Sequence, residues 1–295
     1  MIKHGKYGLP WLKAKARKCV LYGMAAGHPF ILARRMINRC RGRTVVFYPD
    51  QPDWLYVIYK ACLFLGYRMT NNPKERACAV MAWQDVTVRK REAAVPVDDS
   101  GTHVINALCN DISKQRLAAV FSEVFGYELE VDPTRYQGAC VMKSDANARH
   151  DGQVVECPVE RREPARVYQR LVNNVVDGGE YIRDIRVPVF RDVIPFVYLK
   201  YRRIGTRFSN ENAYVKVGRV RDWISREEEG KILEVCRVMG MEYGELDVAR
   251  DRDTQDLYIM DMNNTPWGPP NHIGVWDGAR AVRTIARTFE RVFVK

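Results

Sequence analysis

Residues 243–272 read YGELDVARDRDTQDLYIMDMNNTPWGPPNH, and their pattern decides the fold of the chain. Two extended runs, ELDVAR and LYIMDMNNT, flank the polar turn DRDTQD, which is the signature of a β-hairpin. Side chains alternate across a strand, so Glu245 and Asp247 share one face of the first run. Asp261 and Asn263 share a face of the second, with Met260 and Met262 turned the other way. Carboxylate and amide oxygens are hard donors, and magnesium takes only one or two carboxylates before completing its shell with water and substrate phosphates. Asp247, Asp261 and Asn263 are therefore candidate magnesium ligands, too few for a closed protein cage and well suited to an ion shared with phosphate. The following Thr265–Pro270 stretch, TPWGPP, neither extends a ladder nor starts a helix, and is expected to wall a pocket.

Composition narrows the possible partners. With 295 residues and 46% hydrophobic content, the chain can bury one or two substantial cores. The formal charge of +11 suggests nucleic acid until it is located. Residues 1–49 carry eleven Lys and Arg and no acid; the 47 basic residues less those eleven leave 36, equal to the 36 acidic ones. The body is neutral, so nucleic acid is not expected as its partner. Eight cysteines form no CxxC pair, which argues against zinc and disulfide frameworks and for buried thiols in a reducing, cytoplasmic setting. Residues 19–33, CVLYGMAAGHPFILA, are apolar between basic flanks but shorter than the ~20 residues needed to span a bilayer. A helix pair broken at Gly27–Pro29 is expected there, and the basic segment 1–43 suits peripheral contact with an anionic membrane.

Further along, the strand TVVFYP, a helix ending at Gly66 and the strand ACAVMAW suggest a small open α/β unit without a dinucleotide-binding glycine turn. Residues 44–101 are assigned to this unit and 102–295 to a larger one, with two subdomains joined near 166–173. In the larger part, NDISKQRLAAVFSEVFGY predicts a helix capped by Asp111 or Ser113 and closed by Gly126. QGACVMKS, QVVECP and RVYQRLV predict strands, and residues 180–203 a long hairpin. Ser225 and Glu228 predict a capping box on a helix that Gly240 ends. The last segment, from Asp277, predicts a helix with one apolar stripe.

Neutralising a polyphosphate takes cations placed around it as well as metal, and Lys114, Lys143 and Lys200 are spaced so that a folded sheet can gather them near the carboxylates. Taken together, GELDV, DMNNTPWGPP and these lysines resemble the ATP-grasp superfamily, with a metal motif similar to that of D-alanine:D-alanine ligases. The resemblance implies an α/β architecture of two α+β subdomains clamping ATP, preceded by a small open α/β domain. It implies that Asp247, Asp261 and Asn263 bind two magnesium ions, that Lys114 and Lys143 reach the phosphates, and that Lys200 closes over the γ-phosphate. It places adenine on the hinge residues Gln169, Arg170, Leu171 and Val172, and the ribose on Glu180. The family's glycine-rich flap is replaced by SDANARHDG, which shifts phosphate cradling to Asn147. The family's usual arginine two residues before the first metal-binding aspartate is Glu245 here. Arg183, Arg186 and Arg202 are then the candidate anion-holding groups, because a guanidinium grips carboxylate or phosphate with two bonds.

The resemblance implies an ATP-dependent ligase that activates a carboxylate as an acyl phosphate for attack by an amine or thiol. The acceptor, a small molecule or a glycan-linked group of surface-polysaccharide or secondary-metabolite biosynthesis, is expected between the 44–85 unit and the TPWGPP turn. A kinase that phosphorylates a hydroxyl is the alternative, and a non-catalytic module binding anionic surfaces through residues 1–43 is a lesser one.

Overall fold

The computed structural model describes residues 33, 36–38, 40–90, 103–147, 149, 151–209 and 211–294. The expected helix pair at 19–33, apart from residue 33, and most of the basic segment 1–43 lie outside them. Strand β1 (Thr44–Pro49), helix α1 (Val57–Leu65), and strands β2 (Arg68–Thr70), β3 (Ala79–Trp83) and β4 (Val104–Ile105) form a parallel sheet in the order β2-β1-β3-β4. The sheet thus takes in Val104 and Ile105, from the 102–295 part assigned to the larger unit. Gly66 ends α1 at φ 74°, a left-handed turn that costs a glycine little, with its N–H bonded to the Cys62 and Leu63 carbonyls.

The largest sheet is antiparallel. Strands β8 (Val175–Val176), β9 (Tyr181–Phe190), β10 (Val197–Arg203), β11 (Tyr214–Gly218), β12 (Tyr243–Arg250) and β13 (Leu257–Asn263) lie in the order β11-β10-β9-β12-β13, with β8 also on β9. Two-residue alternation sorts its faces. Ile185, Val187, Leu199, Leu246 and Val248 point into a core shared with α2 (Lys114–Phe125) and α3 (Arg226–Val238). The other face carries Asp184, Arg186, Lys200, Arg202, Glu245 and Asp247. Ser113 caps α2 by accepting the Arg116 N–H, and the Ser225–Glu228 capping box forms as the sequence indicated. Three glutamates in the first turn of α3 favour the positive end of its dipole.

The third sheet, order β6-β5-β7, is built from β5 (Gly138–Ser144), β6 (Gln153–Cys157) and β7 (Arg166–Arg170). Cys140, Met142, Cys157 and Tyr168 pack on its outer side with Val131. Val141 and Lys143 therefore face the large sheet.

The final helix, α4 (Val275–Phe293), returns to the parallel sheet, where Ala281, Ile285 and Phe289 pack with Val45, Phe47, Ile58 and Met81. The same cluster receives Phe190, Tyr198 and Tyr243 from the large sheet. One face of that sheet is thus apolar at one end and charged at the other, and Glu245 stands at the border. The TPWGPP turn is strapped to α1: the Val57 N–H donates to the Pro266 carbonyl at 3.2 Å, Gly268 N–H to Leu55 carbonyl at 3.1 Å, and Lys60 Nζ to the Gly268 carbonyl at 2.5 Å. Where an acceptor was expected between turn and parallel unit, the two are in direct hydrogen-bonded contact.

Candidate nucleotide and metal site

The charged end of the large sheet and the Val141–Lys143 face of the small sheet enclose a cleft of about 1000 Å³, counting its solvent-open mouth. Among the described residues, seven cationic side chains line it (Lys114, Lys143, Arg149, Arg186, Lys200, Arg202 and Arg207) against four carboxylates, Asp151, Asp184, Asp247 and Asp261. The lining carries a formal excess of three positive charges, the electrostatics of a polyanion site.

The centre of the cleft is the hairpin. Asp247 lies directly opposite Asp261, and Glu245 opposite Asn263, so all four share the expected face. Arg186, on β9 opposite Asp247, donates Nε and Nη2 to its two oxygens at 2.9 Å each, and Lys200 Nζ adds a third bond at 3.0 Å. Burial alone raises a carboxyl pKa, but Arg186 and Lys200 overcome it and hold Asp247 well below the usual range. Burial pulls Lys200 down, with Arg186 adding to the effect. Lys143 is half-buried, and desolvation lowers it to about 8, with Asp261 opposing; its Nζ donates to the Met260 carbonyl at 3.1 Å. Lys114 donates to the Ala146 carbonyl at 3.0 Å and stands 3.8 Å from Asp261.

A register shift between Asp247 and Val248 leaves Met260 without a cross-strand partner. Strict alternation turns Met260 away from the cleft, but the bulge brings it into the lining.

Lys114, Lys143, Val172, Arg186, Lys200, Arg202, Asp247 and Asp261 are brought together in this lining. Other candidates lie elsewhere. Arg183 is one residue out of phase with Arg186, so alternation sends it to the opposite face, where its guanidinium stacks 4.4 Å over the Trp223 ring. The Asn147 N–H bonds Thr87 Oγ1 at 2.9 Å, and Asn147 is outside the lining. Arg170 is exposed and donates to the Glu128 carbonyl, Leu171 is half-buried outside the lining, and Glu180 sits in an exposed turn. Asn263 shares the metal-motif face, but its Oδ1 accepts the Thr265 N–H at 2.8 Å and it stands beyond the lining.

Several lining residues carried no sequence signal. Asp184 pairs with Arg202 and accepts from Asn174 at 2.8 Å. Arg207, from the loop after β10, donates to the Val172 carbonyl at 2.5 Å and to Asn174 Oδ1 at 2.7 Å, tying that loop to the hinge. Its neighbour Phe208 packs so closely on Gly152 that a Cβ there would come within 2.6 Å of the ring.

Two observations test whether nucleotide and magnesium fit. Gln169 pairs across β5–β7 with Val141, so its side chain belongs to the cleft-facing side of that sheet. It is 1% exposed, with both amide atoms lacking a partner, and an orphaned donor–acceptor pair suits the edge of a nucleobase. The opposed Asp247–Asp261 pair offers two hard carboxylates, and among the described residues no group of three His, Cys, Asp or Glu could cage a metal. That donor set fits an ion completed by water and phosphate.

The sequence matches no family model and no curated protein. The structure is similar to that of the ATP-grasp ligase PsnB complexed with a phosphomimetic variant of minimal precursor, Mg and ADP. The TM-score is 0.52 at 16% identity, over 84% of this chain and 98% of that one. The chain has the ATP-grasp fold. PsnB complexed with precursor peptide PsnA2 and AMPPNP gives a TM-score of 0.51 at 16% identity, covering 84% and 97% of the two chains. At such low identity the likeness is one of fold, and ATP-grasp architecture accounts for the cleft's place between two sheets.

Proposed function

We propose that the protein is an ATP- and magnesium-dependent ligase that activates a carboxylate as an acyl phosphate for attack by an amine or thiol. The observation that carries this reading is the charged grid on one sheet face, with Arg186 and Lys200 bonded to Asp247, Asp261 opposite, and Lys143 facing them from the second sheet.

Phosphoryl transfer asks the protein for position and charge more than for covalent chemistry. Lys114 and Lys143 are placed to hold nucleotide phosphates, Lys200 and Arg202 the transferred group, and Arg186 the substrate carboxylate. Asp247 and Asp261, with Asn263 further along the face, would hold magnesium, which when bound neutralises phosphate charge. The hinge Gln169–Val172 takes the nucleobase, and Glu180 is the candidate for the ribose hydroxyls. A carboxylate oxygen attacks the γ-phosphorus and ADP leaves; the amine then attacks the acyl carbon and inorganic phosphate departs, the amine proton passing to solvent. Phe208 against Gly152 helps exclude water from the cleft.

PsnB is complexed with precursor peptide PsnA2 and AMPPNP in one structure, and with a phosphomimetic variant of minimal precursor, Mg and ADP in another. This supports ATP and magnesium here, and favours a peptide or small-molecule acceptor over a glycan-linked one. The acid-free basic segment supports peripheral contact with an anionic surface on the cytoplasmic side. Among the described residues no helix is long and apolar enough to cross a membrane.

The test is incubation with ATP, magnesium, candidate carboxylates and hydroxylamine. ADP release with hydroxamate formation supports the ligase; a stable phosphoester replaces it with the kinase reading. The Asp247→Asn, Asp261→Asn double variant should lose ADP release, and full retention would remove the grid from the reaction.

A further inference from the structure

Cys140 and Cys157 lie in the small sheet, away from the charged grid. Their Sγ atoms stand 3.0 Å apart, and both are free thiols. Cys140 is opposite Val155 and Cys157 opposite Gly138, so the two occupy diagonal positions of the antiparallel β5–β6 pair and share its outer face with Met142 and Tyr168. Glycine at 138 leaves open space beside Cys157 for its sulfur to shift.

We propose that Cys140 and Cys157 are a site of reversible thiol oxidation, closing a disulfide that staples the edge strand β6 to β5. The chain between them includes Ser144, Arg149, Asp151 and Gly152, which line the cleft. The bond would pin both ends of that segment and restrain it.

The oxidant is a low-molecular-weight disulfide such as oxidised glutathione. Cys157, at the strand end, is 8% exposed against 0% for Cys140, so it is the first to react. Its thiolate attacks one glutathione sulfur, the S–S bond breaks, and one glutathione thiolate leaves. Cys140 then attacks the Cys157 sulfur of the mixed disulfide and releases the second glutathione. The protein gives up two electrons and two protons, which end on the two glutathione thiols. Burial raises the Cys140 thiol to about 12, with the Cys157 contact adding to it, which makes the second step the slow one.

Full-length protein is incubated with oxidised glutathione, alkylated, digested and analysed by mass, beside a urea-unfolded sample that shows the reagent is active. The expected product is a Cys140–Cys157 cross-linked peptide pair, two hydrogens lighter than the reduced peptides and separated again by dithiothreitol. It is absent from Cys140→Ser and Cys157→Ser. Full alkylation of both thiols in the folded protein, or a persistent glutathione adduct on either, overturns the proposal. Amide exchange over residues 144–152 should slow in the oxidised form, and an unchanged pattern overturns the stapling. Neither readout depends on ATP turnover.

Discussion

Replacing Glu245 with glutamine is expected to move the stability difference in favour of the variant as pH rises from 5 to 8. The carboxyl is 3% exposed, neither oxygen has a hydrogen-bond partner, and Arg186 Nη1 is 3.5 Å away on a guanidinium already engaged by Asp247. Burial, opposed by Arg186, raises this carboxyl from 4.5 to about 7. The folded state therefore holds the proton more tightly than the unfolded chain, and the associated stability is present at low pH and lost as pH climbs from 4.5 through 7. At about 1.36 kcal/mol per pH unit, the loss reaches about 3 kcal/mol once both states are ionised. Glutamine keeps the size and removes the titration. A buried amide without partners has its own cost, but that cost is common to both pH values and drops out of the comparison. Urea unfolding of the natural chain and Glu245→Gln should show their stability difference moving in favour of the variant by about 2 kcal/mol between pH 5 and pH 8. An equal difference at both pH values would refute the idea that an uncompensated carboxylate stands at the border of the cleft.

Lys143 is cationic below about pH 8 and loses its charge as pH rises through that value, so ATP affinity measured by calorimetry should weaken above it, by about tenfold for one charge-assisted bond, and Lys143→Arg should flatten that limb. Gly152→Val should cost about 1–3 kcal/mol in urea unfolding by driving a methyl group into Phe208, and Phe208→Ala in the same chain should recover most of the loss; no recovery would place the strain elsewhere. Arg207→Ala should raise the KM for ATP about tenfold through loss of its two hinge bonds while leaving kcat closer to unchanged. Ser225→Ala should destabilise by about 1 kcal/mol with no effect on nucleotide binding.

The hairpin at 243–263 could be read from the chain because period-two alternation is a local property, and it placed Glu245, Asp247, Asp261 and Asn263 on one face. Local capping chemistry likewise located Gly66, Ser113 and the Ser225–Glu228 box. Adjacency in sequence misled where phase mattered: Arg183 and Arg186 are three residues apart, yet the strand sends them to opposite sides of the sheet. Arg207 and Asn174 meet across 33 residues and Asp184 is taken by Arg202, contacts that depend on loop paths and strand order. Strands β2, β4 and β8, two or three residues long, exist through their partners more than through propensity. The Cys140–Cys157 contact follows from register, which spacing rules for paired cysteines do not contain.

The bulge at Met260 adds a hydrogen bond between the two sheets that wall the cleft. β13 pairs on one side only, and the carbonyl of its surplus residue accepts from Lys143 on the opposing sheet. One surplus amino acid in β13 thus serves as a mooring between the two jaws of the cleft. Deleting that residue would remove the mooring while leaving Ile259 opposite Val248 and Asp261 opposite Asp247 in a regular ladder. The length of this strand is accordingly under tighter constraint than its composition, and substitutions at Met260 that spare the backbone should be far better tolerated than any change in its count.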